Sequence, residues 1–154
     1  MNIQKGEYTD IDNIVKLWGK LSDYHKVFRD YMSPSKDWNS KIEELFREDI
    51  NDDNKLLLVC KENNEVVGFI RAEIKDGGGV FEDVQLGYIS DIYIEEKFRG
   101  TGISEDMIKE VILWFKDKGI YNLRLNVNSQ NMAAIKLYKK LGFEEVNKTM
   151  SLDF

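Results

Sequence analysis

Along the chain the spacing of apolar residues changes several times, and each change predicts an element. Ile3 to Tyr8 reads as a short first strand. Thr9 or Asp10 then caps a helix in which Ile11, Ile14, Val15, Trp18 and Leu21 recur at i, i+3, i+4 and i+7. Ser22 to Asp37 has no period, contains Tyr24, Phe28, Tyr31 and the only proline, Pro34, and reads as irregular. A second helix is expected from Trp38 to Asp49, with Ile42, Leu45 and Phe46 facing inward. After a turn at Asn51 to Asn54, Leu56–Lys61 and Val66–Ile74 read as strands around Asn63-Asn64, a hairpin signal that lacks the favoured Asn-Gly. Gly77-Gly78-Gly79 leads to a strand from Leu86 to Ile94. Met107, Ile108, Val111, Ile112 and Phe115 then mark a helix over Glu105–Lys118. Leu123 to Val127 alternates as a strand, Asn131 to Leu141 is a helix closed by Gly142, and Phe143 to about Leu152 reads as a last strand.

This order predicts an α+β fold with a central mixed, mostly antiparallel sheet flanked by helices. No repeat or linker divides the chain, so residues 1–154 are expected to form a single domain. A chain of 154 residues can bury roughly two-thirds of its unfolded surface. It has no run of about 18 apolar residues to cross a membrane, and Met1–Glu7 lacks the apolar centre of a signal peptide. The expected compartment is the cytoplasm. A formal charge of -6 argues against a nucleic-acid partner and suits an amine-bearing substrate. Cys60 is the only cysteine and lies in the apolar run Leu56–Cys60, so it reads as a small core residue. With His25 the only histidine as well, no metal site is expected.

Chemistry concentrates in Ile89–Ser104. A β-branched and aromatic strand runs into Arg99-Gly100-Thr101-Gly102, and the loop opens directly onto a helix N-terminus. Two glycines let backbone N–H groups crowd together, and the helix dipole adds positive potential, which together make an anion site suited to a diphosphate. A P-loop is excluded, because no Lys-Ser or Lys-Thr follows the glycines at the required spacing. A dinucleotide-binding G-x-G-x-x-G is excluded too, since Glu105 stands where the third glycine belongs.

A third reading, coenzyme A, comes from a family resemblance. Arg99-Gly100-Thr101-Gly102-Ile103-Ser104 resembles motif A of the GNAT superfamily of acyl-CoA-dependent N-acyltransferases, R/Q-x-x-G-x-G/A, with Ser104 at the final small position. Asn131, Ala134, Leu137, Tyr138 and Leu141-Gly142-Phe143 resemble its motif B, about 30 residues downstream. Glu96 departs from the family, which often has proline there. The resemblance implies that acetyl-CoA is the acyl donor and that Arg99, Gly100, Thr101, Gly102, Ile103 and Ser104 hold its pyrophosphate. It further implies that Ile92, Tyr93 and Ile94 pair with the pantetheine arm as an added strand, so a sheet edge should be open there. Tyr138 corresponds to the family's general acid toward the thiolate, and Asn131 either caps its helix or hydrogen-bonds the cofactor. Ala134, Leu137, Tyr138 and Leu141 also form one apolar stripe, a purely structural alternative for Tyr138.

The acceptor expected is a small-molecule or peptide primary amine that attacks directly. Its proton needs a base, with Glu82, Asp83 and Asp91 the candidates. Tyr88 occupies the position of the glutamate base of some family members, and strict alternation puts Asp91 on the opposite sheet face from it. An oxyanion donor is expected near the Ile92 N–H. Glu105 and Asp106 should point away from the phosphates, while Lys97, Lys136, Lys139 and Lys140 are candidates for the 3′-phosphate. Tyr24, His25, Phe28, Tyr31 and Trp38 could form an aromatic acceptor wall beside Asp23 and Asp30. Two other classes stay open, a non-catalytic acyl-CoA-binding sensor and a structural protein that forms a homodimer through its last strands.

Overall fold

In the computed structural model, residues 1–28, 33–77, 80 and 84–154 are described. Asp30, Tyr31, Gly78, Gly79, Glu82 and Asp83 lie outside the described residues. Five strands, β1 (Asn2–Lys5), β2 (Lys55–Glu62), β3 (Glu65–Asp76), β4 (Gln85–Ile94) and β5 (Leu123–Leu125), form one sheet in chain order. The first four are antiparallel to their neighbours and β5 runs parallel to β4. The α+β mixed sheet read from the sequence is therefore present. Asn63 and Asn64 make the β2–β3 hairpin with φ of 50° and 66°, the pair of left-handed residues that matches the strand twist in a two-residue turn.

Alternation along β2 and β3 divides the apolar residues between two layers. Leu57, Val59, Phe69 and Tyr93 face α1 (Ile11–Lys26) and α2 (Trp38–Ile50), where Ile11, Ile14 and Phe46 are wholly buried. Phe46 meets Phe69 edge-on at 5.7 Å, an arrangement that adds about 0.5–1.5 kcal/mol beyond burial. Leu56, Leu58, Cys60, Ile70 and Ala72 face α3 (Ile103–Asp117) and α4 (Met132–Lys140), against Met107, Ile108, Val111 and Phe115. Burial raises the pKa of the Cys60 thiol, which keeps it protonated inside this layer.

The structure corrects the sequence reading in three places. First, α1 continues to Lys26 through a stretch read as irregular, because no helix breaker intervenes before Pro34 and Leu21 still has core to cover. Second, residues 143–154 form no strand, and Val146, Met150 and Leu152 are exposed at 71%, 92% and 81%. Alternation alone cannot make a strand without a ladder partner. Third, the β3–β4 register slips at one point: Arg71 pairs with Asp91 but Ala72 pairs with Ile89, which leaves Ser90 as a bulge. Phe69, Arg71 and Glu73 share one face of β3, so their partners Tyr93, Asp91 and Tyr88 share it too. Strict alternation had separated Tyr88 from Asp91, and the extra residue brings them together.

Candidate active site

Beyond Ile89, β4 keeps its β3 partner but loses β5. β5 pairs with Gly87, Tyr88 and Ile89 only, while β4 runs on to Ile94. The two strands part, and alternate N–H and C=O groups of β4 face the gap. A groove of about 800 Å³ follows that gap through the sheet. One end is walled by Leu21, Tyr24, His25 and Phe28 of α1 and its C-terminal turn. The middle is β4 from Ile89 to Ile94 against Leu125 to Asn128, and the far end lies between the glycine loop and α4.

The glycine loop has the form of an anion cradle. Gly100 and Gly102 hold φ of 75° and 91°, left-handed values that cost most side-chain-bearing residues ~1 kcal/mol or more. A Cβ on either would meet no protein atom within 4 Å and would project into open space. No side chain caps α3, and the Asp106 N–H is the first to reach a carbonyl, that of Gly102 at 3.0 Å. The N–H groups of Ile103, Ser104 and Glu105 therefore start the helix without a protein acceptor among the described residues. The Thr101 hydroxyl turns back to donate to Phe98 O at 2.6 Å, and Thr101 is outside the groove lining. These groups fit a diphosphate, and the open β4 edge beside them fits an extended amide-bearing arm.

Other expected residues divide between the groove and elsewhere. Asp91, Ile92, Tyr93, Ile94, Arg99, Gly100, Gly102, Ile103, Ser104, Asn131 and Tyr138 all line it. Lys136 and Lys140 line it as well, whereas Lys97 and Lys139 do not. Trp38 is not part of the wall, because it packs on Trp18 of α1 at 5.5 Å. Asp106 is not among the residues that line the groove, but Glu105 is. Lys109 at 2.8 Å and Lys140 at 2.5 Å hold its carboxylate and lower its pKa to about 2, so the lysines offset its repulsion of phosphate. The Asn131 side chain accepts from the Ala134 N–H at 3.3 Å and thus caps α4.

Tyr138 is 9% exposed, with its ring 5.7 Å from that of Phe143. Burial alone pushes its pKa up to about 12, with no neighbouring charge to oppose it. Asp91 sits in a network absent from the sequence reading. Arg71, buried between layers, is salt-bridged to the wholly buried Asp49 of α2 and lies 3.9 Å from Asp91 and 3.8 Å from Glu73. Lys55 joins Asp49 at 3.3 Å. Burial raises the Asp91 pKa, while Arg71 and a hydrogen bond from Trp18 oppose the shift. A charged residue amid the apolar run Val66–Ala72 was the available sign of such a pair.

Comparison with known proteins agrees with this geometry. The sequence profile of the Acetyltransferase (GNAT) family matches residues 22–143. An uncharacterized N-acetyltransferase of Methanocaldococcus jannaschii is 29% identical over 136 residues, which cover 88% of this chain and 57% of that protein. The chain thus spans little more than half of that relative. An N-alpha-acetyltransferase of Sulfurisphaera tokodaii is 32% identical, covering 94% of this chain and 80% of its own. A predicted acetyltransferase from Clostridium acetobutylicum, crystallised with acetyl-CoA, superposes with a TM-score of 0.81 at 20% identity, over 99% of this chain and 95% of that one. A profile match over most of the length, on a sheet that parts beside a glycine cradle, has one reading: this chain belongs to the GNAT family of acetyltransferases.

Proposed function

We propose that residues 1–154 act as one N-acetyltransferase domain that moves the acetyl group of acetyl-CoA onto a primary amine in the groove. The observation that carries this reading is the continuity of the unpaired β4 edge with the uncapped N–H groups of residues 103–105. Gly100 to Ser104 hold the diphosphate, and Ile92 to Ile94 hold the pantetheine arm. When bound, acetyl-CoA supplies the thioester. The amine nitrogen forms a bond to the thioester carbonyl carbon, the C–S bond breaks, and the acetyl group leaves with the amine.

Each proton has a residue to handle it. A lysine-like amine is protonated at neutral pH, and freeing its lone pair costs about 4.6 kcal/mol. Asp91 accepts that proton as the base, in line with a burial-raised pKa and its place on the groove wall. The N–H near Ile92 faces the developing oxyanion. Tyr138 serves the leaving sulfur. Its pKa of about 12 lies above the ~8.5 of a thiol, so complete transfer is uphill by about 5 kcal/mol. Tyr138 therefore donates a hydrogen bond as negative charge grows on sulfur, and releases its proton late.

Thiol release from acetyl-CoA across a panel of amines tests this. Tyr138→Phe is expected to lose at least tenfold in turnover while CoA affinity stays within about threefold. An unchanged rate removes Tyr138 from the chemistry. The same raised pKa supports a second reading, a non-catalytic acyl-CoA sensor, which would bind CoA and release no thiol with any amine. The acceptor class takes some support from the Sulfurisphaera tokodaii relative, whose name is N-alpha-acetyltransferase.

A further inference from the structure

Arg99 opens the glycine loop, and its side chain is already engaged with protein. Its Nε donates to Ile94 O at 3.0 Å. Its guanidinium carbon stands 5.1 Å from the Tyr24 ring centre and 5.4 Å from that of Tyr93, both within cation–π range. Tyr24 belongs to α1, lines the α1 end of the groove, and meets Phe28 edge-on at 5.5 Å. The Lys20–Glu95 ion pair ties the same end of α1 to the residue after β4. Through these side chains, the end of α1 is fastened to the strand and loop that form the cradle.

We propose that Arg99 is a positioning residue that couples the cradle to the α1 wall, so that filling the cradle orders Tyr24 and Phe28 for the second substrate. The inference rests on the cradle reading above, and adds that the Arg99 side chain acts on α1 and not on phosphate. A ligand that fixes the backbone of residues 99–104 fixes the root of the Arg99 side chain. The guanidinium then holds the Tyr24 ring against Tyr93, and Phe28 with it. Order gained at one end is order that the second substrate need not supply at the other, which is positive coupling between two sites. Substituting Arg99 breaks that link while the N–H groups of Ile103, Ser104 and Glu105 remain.

Amide hydrogen exchange on the intact chain, with coenzyme A itself as probe, separates the outcomes. Saturating CoA is expected to slow exchange in residues 99–106 and, about five- to tenfold, in residues 20–28. Arg99→Gln should keep the first effect, with the CoA Kd changed less than threefold, and lose the second. Arg99→Lys, which retains a cation for the rings, should restore part of it. Tyr24→Leu removes the other end of the contact and should reproduce the Arg99→Gln result, which keeps the test open if the arginine variant fails to fold. Retention of the 20–28 effect in both Arg99→Gln and Tyr24→Leu overturns the proposal, as does its absence from the wild type. A tenfold or greater loss of CoA affinity in Arg99→Gln also overturns it, by assigning Arg99 to phosphate. If CoA leaves 99–106 unprotected in the wild type, the cradle reading itself has failed and takes this inference with it.

Discussion

At the scale of single residues, the surroundings of some groove side chains oppose their ordinary behaviour. Tyr138 is the clearest case. Its pKa rises from 10 to about 12 by burial, so the neutral phenol favours the folded state. That contribution is fully present below pH 10 and is lost as pH climbs through 12, amounting to about 3 kcal/mol. Denaturant melts between pH 9 and 12 should show wild type losing stability more steeply than Tyr138→Phe by roughly that amount. Parallel slopes would mean that the hydroxyl is solvated. Gly102 gives a second residue-scale prediction. Gly102→Val demands a left-handed β-branched residue and projects methyl groups where the cradle opens. Calorimetric titration should show CoA affinity falling at least tenfold, with a loss of folding stability of about 1–2 kcal/mol. Retained affinity would place the diphosphate elsewhere.

A buried ionic contact joins two of the secondary elements. Asp49 of α2 holds Arg71 of β3 beneath the groove. Asp49→Ala leaves that guanidinium without its main partner, and urea unfolding should record a loss of about 3–5 kcal/mol. The double variant Asp49→Leu with Arg71→Met should recover part of it, since neither charge then remains buried. A larger loss in the double variant would instead make the pair a net stabiliser. These contacts also show where sequence reading stops. The hairpin was legible because Asn63-Asn64 is local chemistry, and the cradle because two glycines, an arginine and a helix start lie within a few residues. Arg71 and Asp49 are 22 residues apart, and nothing local pairs them. The bulge at Ser90 is equally silent, because an extra residue in one strand is defined only against its partner. One residue of slip put Asp91 on the face of Tyr88. The missing last strand has the same cause, since a strand from Phe143 to about Leu152 requires a neighbour that the chain's own pattern does not supply.

For the molecule as a whole, the sheet separates two layers of helices, and the gap between β4 and β5 joins them. α3 and α4 carry Ser104, Lys136, Tyr138 and Lys140 on one side, while α1 brings Tyr24 and His25 to the other. No helix among the described residues is long and apolar enough to cross a membrane. The net charge of -6 is unfavourable for a polyanionic ligand, while Lys136 and Lys140 put positive charge on the groove wall. Glu105, its pKa lowered by Lys109 and Lys140, pairs with Lys140 of α4 at 2.5 Å. Salt should accordingly weaken CoA binding severalfold between low ionic strength and ~1 M, as screening shortens to about 3 Å. Salt-independent affinity would mean that the backbone dipoles of the cradle carry the binding alone. The central claim is tested most directly by a crystal structure of the chain with CoA. The account predicts diphosphate density within hydrogen-bonding distance of the N–H groups between Gly100 and Glu105, with the sulfur beside the Tyr138 hydroxyl. Diphosphate bound away from that loop, or sulfur remote from Tyr138, would contradict it.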